Sequence, residues 1–390
     1  MKQYIIDVFF ALLRFEIKGT ALCEDVKKNI HSETLKKLYK ISKKHDLAHL
    51  IGDALDKNGL LPIETDIDKE IRKRFLQERN MAVYRVEQLQ YELDCICETL
   101  KKANIPFIPL KGAFLRSLYA EPWMRTSCDI DILVEEKNLQ KAIGFLEKEL
   151  SYQCTEIGQH DAQIFAENGT HIELHYSLLE SGSKQAVRRV LDCIWESVNM
   201  QNVQCEMPDE LLYCYHISHI AKHIKFGGCG VRAILDTWIL NHKVEFDKAK
   251  RDRLLQKAGL FSAAKAIENL AEVWFLGAEK NALSEELEEY ILTGGVYGTF
   301  ENKVAAQQTR QKNKVVYLCS RIFIPYSEMK FKYPILQKYS ILYPFYIVKR
   351  CFLLLNKDKR KFALQEVKQT TNRDNDKQKR IARLLKDLDL

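Results

Sequence analysis

Three carboxylates at strand spacing are the residues best placed to do chemistry in this chain. The segment RTSCDIDILV at 125–134 carries Asp129 and Asp131 among Ile130, Ile132 and Val134. Strands disfavour Asp, so two in one strand need a cause. Side chains alternate along a strand, which puts Asp129 and Asp131 on one face and the isoleucines on the other. Two like charges this close repel unless a positive group lies between them. A divalent cation does this, and Mg²⁺ takes one or two carboxylates together with phosphate oxygens and water. The segment THIELHY adds Glu173, which shares its strand face with His171 and His175. An adjacent strand in the same sheet brings Glu173 beside the pair as a third carboxylate. Two metals clamped by such a cluster suit phosphoryl and nucleotidyl transfer. The plainer alternative is a strand end with a solvated face.

Basic groups gather near these acids. Lys111-Gly112 sits where a strand turns into a helix, and a glycine there lets backbone N–H groups approach a phosphate. Arg116 and Arg125 lie close by and suit phosphate oxygens. There is no GxxxxGK[ST] loop and no GxGxxG, which excludes a P-loop or a dinucleotide fingerprint. His216, His219 and His223 fall on one face of a helical segment; His219 fits the lining of a substrate cleft better than it fits a metal face. Arg232 and Asp236 are spaced as a pair along one helix. His45-Asp46 and His160-Asp161 lack the ordered His and Asp set of a metal phosphohydrolase.

The elements that must hold these residues are readable from periodicity. Residues 1–100 read as helices, with Leu89, Leu93, Ile96 and Leu100 forming a core-facing stripe. IPFIPL reads as a strand, KGAFLRSLY as a helix from Gly112, DIDILV as a strand and EKNLQKAIGFLEKEL as a helix. Asn168-Gly169 lies between two β-like runs and marks a tight hairpin. Helices resume after 180, with a turn at GGCG (227–230) and a helix closed by Gly277. The fold expected is α+β: an N-terminal helical region (1–100), a small mixed-sheet core (101–180), a helical domain (181–300) and a C-terminal helical and basic region (301–390).

The 60 basic and 53 acidic residues of the 390 leave a net charge of +7, too mild for a nucleic-acid-coating surface. The eleven cysteines include no CxxC pair, which fits reduced thiols and a cytoplasmic location. YSILYPFYIVKRCFLLL at 339–355 mixes aromatic and basic residues that would suit a membrane surface. Pro344, Lys349 and Arg350 interrupt it, and a buried C-terminal helix is the favoured reading.

Taken together, NIPFIPLKGAFLRSLYAEPWMRTSCDIDILV resembles the core of the nucleotidyltransferase superfamily that includes polymerase β. It is similar, more narrowly, to a bacterial branch labelled uncharacterised nucleotidyltransferase. The matching residues are Leu110-Lys111-Gly112, Tyr119, Arg125, Asp129-Ile130-Asp131 and Glu173-Leu174-His175, then His219, Arg232 and Asp236 on helical segments. The wider superfamily usually follows the turn glycine with Gly or Ser; here Ala113 follows. The resemblance implies a nucleotidyltransferase core within the α+β fold. It also implies transfer of a nucleoside monophosphate from an NTP to a hydroxyl-bearing acceptor, with release of pyrophosphate. Asp129, Asp131 and Glu173 would hold Mg²⁺ or Mn²⁺, and Glu173 would help deprotonate the acceptor. Lys111, Gly112, Arg116 and Arg125 would hold the nucleotide. The acceptor stays open among a small molecule, a peptide or protein, a glycan precursor and an RNA end. The competing reading is a non-catalytic nucleotide- or partner-binding protein that keeps the fold.

Overall fold

The computed structural model describes residues 3–180, 183–296, 298–308, 323–326, 329–330, 333, 335–353 and 375–390. Five helices come first: α1 (Gln3–Lys18), α2 (Glu24–Lys28), α3 (Ser32–Lys44), α4 (Ala48–Lys57) and α5 (Asp66–Lys102). Thr65 starts α5 with a capping box: its hydroxyl accepts from Asp68 N, and the Asp68 carboxylate accepts from Thr65 N. The stripe read from the sequence, Leu89, Leu93, Ile96 and Leu100, is buried as expected.

The sheet follows, with β1 (Phe107–Pro109), α6 (Lys111–Ser117), β2 (Asp129–Val134), α7 (Leu139–Leu150), β3 (Gln153–Ile157), β4 (Asp161–Phe165) and β5 (His171–His175). Its order is β1-β2-β5-β4-β3. β2 and β5 run parallel, and the other neighbours are antiparallel. The β4–β5 hairpin turns at Asn168-Gly169, where Gly169 has φ +84° and Asn168 Oδ1 accepts from Thr170 N. β3 was not expected from the sequence. It is an edge strand whose residues are largely exposed, so it lacks the apolar alternation that would announce it.

Two cores flank this sheet. Ile130, Ile132, Val134, Ile164, Ile172 and Leu174 pack on α7 and the C-terminal half of α5. The second core joins α1, α3, α4 and the start of α5, through Ile71 and Phe75, to the later helices. Those helices are α8 (Gln185–Leu191), α9 (Ile194–Ser197), α10 (Asp209–Lys225), α11 (Val231–Lys243), α12 (Lys248–Ala258), α13 (Phe261–Leu276), α14 (Ala282–Gly294) and α15 (Phe300–Gln308). The α10–α11 turn needs its glycines: Gly227 and Gly228 have φ +121° and +139°. The whole is a mixed α/β protein, mostly helical, with one five-stranded mixed sheet, in keeping with an α+β fold.

The helix Tyr343–Leu353 corrects one expectation. Ile347 is buried against Met329 and Leu336, but Phe345 and Val348 are 64% and 53% exposed, so its described side chains are not buried on every face. Among the described residues no helix is long and apolar enough to cross a membrane. Of the polar tail, residues 375–387 form a helix and 354–374 lie outside the described residues. Nine cysteines among the described residues are free.

Candidate active site

The parallel pair β2–β5 sets the site. Its register matches Asp129 with His171, Asp131 with Glu173 and Leu133 with His175. On the other side of β5, Gln163 of β4 faces Glu173 and Asp161 faces His175. Because partners across a ladder point to the same face, the two aspartates, Glu173 and both histidines emerge together. The apolar residues between them enter the core beneath. Ligand atoms of Asp129, His171 and Glu173 lie within 4.8 Å of one another, and so do those of Asp131, Glu173 and His175. Glu173 belongs to both sets.

The cluster is unevenly neutralised. His175 Nε2 lies 3.0 Å from Asp131 Oδ1 and 3.4 Å from Glu173 Oε2. Burial alone would raise the Asp131 pKa, but Lys111 and His175 hold it well below the usual carboxylate range. Burial lowers His175, yet its bonds to the two carboxylates lift it to about 9. The His175 bond likewise holds Glu173 low. Asp129 differs: burial, then repulsion from Asp131 and Glu173, pushes its pKa up. A cation shared by Asp129 and Glu173 would relieve that repulsion. The donor set is therefore one that fits a divalent metal.

The loop that delivers β2 is fixed at three successive residues. Arg125 donates from Nε and Nη2 to both oxygens of Asp236 on α11, and Tyr119 OH donates to Asp236 Oδ1 at 2.7 Å. Thr126 O accepts from Arg232 Nη1 at 2.8 Å. Ser127 Oγ accepts from Arg116 Nη2 at 3.0 Å. Arg232 pairs with Asp46, 2.9 Å away, rather than with Asp236 as the helical spacing implied. The motif residues Tyr119, Arg125 and Asp236 thus form one buried network.

Lys111 opens α6 and faces the carboxylates, with its Nζ 4.8 Å from the Tyr215 ring centre. A Cβ added at Gly112 would sit 3.6 Å from Ser127 Oγ and 3.7 Å from Arg125 Nη1, in ordinary contact. Packing alone does not demand a glycine there. Arg125 Nη1, beside it, is buried and has no hydrogen-bond partner.

A cleft of about 480 Å³ opens beside Glu173, Lys111 and His175. Its far wall is α10, which contributes Tyr215, His219 and Lys222. His219 therefore does line a cleft. Burial, followed by nearby Lys111, drives its pKa well below the ordinary value, and its Nε2 lies 3.2 Å from His223 Nε2. His216 is turned away, with Nε2 2.9 Å from Thr237 Oγ1. Tyr215 and Lys222 were missed by sequence reasoning. Tyr215 and Lys222 lie four before and three after His219 on one helix, a spacing that would have found them.

The chain matches the family model described as uncharacterised nucleotidyltransferase over residues 31–276. That span contains the sheet, the three carboxylates and the α10 and α11 residues around them. No curated protein and no solved structure matches the chain. With the acidic cluster inside a match that covers more than half of its length, the chain belongs to the uncharacterised nucleotidyltransferase family.

Proposed function

We propose that the protein moves a nucleoside monophosphate from an NTP to a hydroxyl-bearing acceptor and releases pyrophosphate. The observation that carries this is the parallel pairing of Asp131 with Glu173, with Asp129 two residues away on the same face. Asp129, Asp131 and Glu173 would hold Mg²⁺ or Mn²⁺. When bound, the metal supplies charge neutralisation at the phosphoryl oxygens. Lys111 and the backbone at Gly112 hold triphosphate oxygens, with Arg125 Nη1 beside them. Arg116 acts through Ser127, as a positioning residue.

In the reaction the acceptor oxygen bonds to the α-phosphorus as the bridge to the β-phosphate breaks. The acceptor proton passes to Glu173, and pyrophosphate leaves. The cleft between the sheet and α10 takes the acceptor. The candidate acceptors are a small hydroxylated molecule, a peptide or protein side chain, a glycan precursor and an RNA end.

The test is incubation of the protein with α-labelled NTPs, Mg²⁺ or Mn²⁺ and a metabolite and protein extract. Mass spectrometry then reads an added nucleoside monophosphate. Label transfer that disappears in the Asp129→Asn/Asp131→Asn double variant is expected. Transfer that survives this change rejects the metal assignment. Calorimetric binding of NTP with no transfer to any acceptor rejects the enzyme in favour of a binding protein.

A further inference from the structure

The His160-Asp161 pair has no role in the transfer chemistry, yet it lies against His175. Asp161 opens β4 and is the direct cross-strand partner of His175. The His160 carbonyl accepts from Tyr176 N and Ser177 N, which ties the backbone of the pair to the end of β5. The His160 and His175 ring centres are 5.5 Å apart. His160 Nδ1 approaches Asp161 Oδ1 to 3.5 Å. One ligand atom from each of His160, Asp161 and His175 falls within 4.8 Å of the other two.

A second observation is independent of this proximity. His175 is only 4% exposed, and its Nε2 is engaged by Asp131. Its other nitrogen, Nδ1, is buried without a hydrogen-bond partner, and so is His160 Nδ1. Buried ring nitrogens are normally satisfied. Nearby polar groups are spoken for: Asp161 Oδ2 accepts from Gln163, and Tyr176 OH donates to Gly158 O. Two unsatisfied imidazole nitrogens beside a carboxylate make a donor set for a metal.

We infer that His160, Asp161 and His175 form a second metal site, beside the carboxylate cluster and sharing His175 with it, for a transition metal of the Zn²⁺ class. Two imidazoles and one carboxylate favour Zn²⁺ over Mg²⁺, whose partners are oxygens. Three protein ligands leave a coordination position open, and both histidines line the cleft that would serve it. A metal on His175 Nδ1 leaves the Nε2 proton directed at Asp131. The result is a carboxylate–histidine–metal relay that orients the catalytic aspartate. The site needs no nucleotide and does not depend on the transfer reaction.

The test uses the purified full chain, equilibrated with Zn²⁺ in the presence of excess Mg²⁺, with bound zinc measured by elemental mass spectrometry. Co²⁺ in place of Zn²⁺ gives a visible absorption that reports nitrogen ligation. Wild type and Asp129→Asn are expected to bind zinc alike. His160→Ala and Asp161→Asn should weaken binding by more than the roughly 100-fold that losing an outer-shell partner costs. Circular dichroism confirms that both variants stay folded. Undiminished binding in His160→Ala, or loss in Asp129→Asn instead, overturns the site. Absence of zinc from the wild type overturns it as well.

Discussion

Arg125 and Asp236, 111 residues apart, form a buried two-point pair, Nε to Oδ1 at 3.0 Å and Nη2 to Oδ2 at 3.1 Å. It joins the loop before β2 to α11, and so ties the carboxylate strand to the later helices. Breaking such a pair leaves one charge buried alone, at a cost of about 3–5 kcal/mol. Asp236→Ala is expected to lower the urea midpoint accordingly. Arg125→Lys should also destabilise, because an ammonium cannot reproduce the fork. A stability equal to wild type in both variants would sink this reading of the network.

The carboxylate cluster predicts a metal-linked stability. Metal at a hundred times its Kd adds about 2.7 kcal/mol. Mg²⁺ or Mn²⁺ should raise the melting temperature of the wild type and leave Asp129→Asn unmoved. Without metal, Asp129→Asn should melt above the wild type, since it removes the charge repelled by Asp131 and Glu173. Differential scanning calorimetry with and without EDTA checks both.

Outside the cleft lining, Glu16 on α1 gives a pH signature. Its Oε1 accepts from Lys57 at 2.7 Å, while Oε2 is buried without a hydrogen-bond partner. Burial raises its pKa from 4.5 to about 7 despite Lys57. Folding therefore favours the protonated form. The stability from this group is full below the unfolded value of 4.5 and is lost as pH rises through about 7. Glu16→Gln keeps an acceptor for Lys57 and cannot ionise. Its melting temperature should exceed the wild type above pH ~7 and converge with it below pH ~4.5. Parallel melting curves of the two proteins across that range would contradict this.

The capping box at the start of α5 supplies a structural control. Thr65→Ala removes the side-chain acceptor for Asp68 N and should cost about 1 kcal/mol. Any transfer activity should be unchanged, because Thr65 does not touch the site. A drop in kcat matching the loss of the cap would reveal an unforeseen link.

The carboxylate face was legible because strand periodicity is strict. Alternation placed Asp129 with Asp131 and Glu173 with His171 and His175, and Asn168-Gly169 announced the hairpin that returns Glu173; the parallel register that joins the two sets is seen only in the sheet. Chain-distant pairings were not legible. Arg232 was matched to Asp236 by helical spacing, but it reaches back to Asp46, and Asp236 is taken by Arg125. Nothing local in either segment encodes a partner more than a hundred residues away. β3 escaped for the opposite reason: an exposed edge strand needs little apolar residue content. The aromatic segment at 339–355 was read as a buried helix, yet composition does not say which faces find a neighbour.

Helix α5 has a consequence of its own. At 37 residues it is about 55 Å long. Its first turns, through Ile71 and Phe75, belong to the helical core, and its last, from Leu89 to Leu100, to the core beneath the sheet. A single rod mortised into both bodies makes them one cooperative unit. Melting should therefore proceed in a single transition, and an opening of the cleft would have to bend that rod rather than swing on a linker.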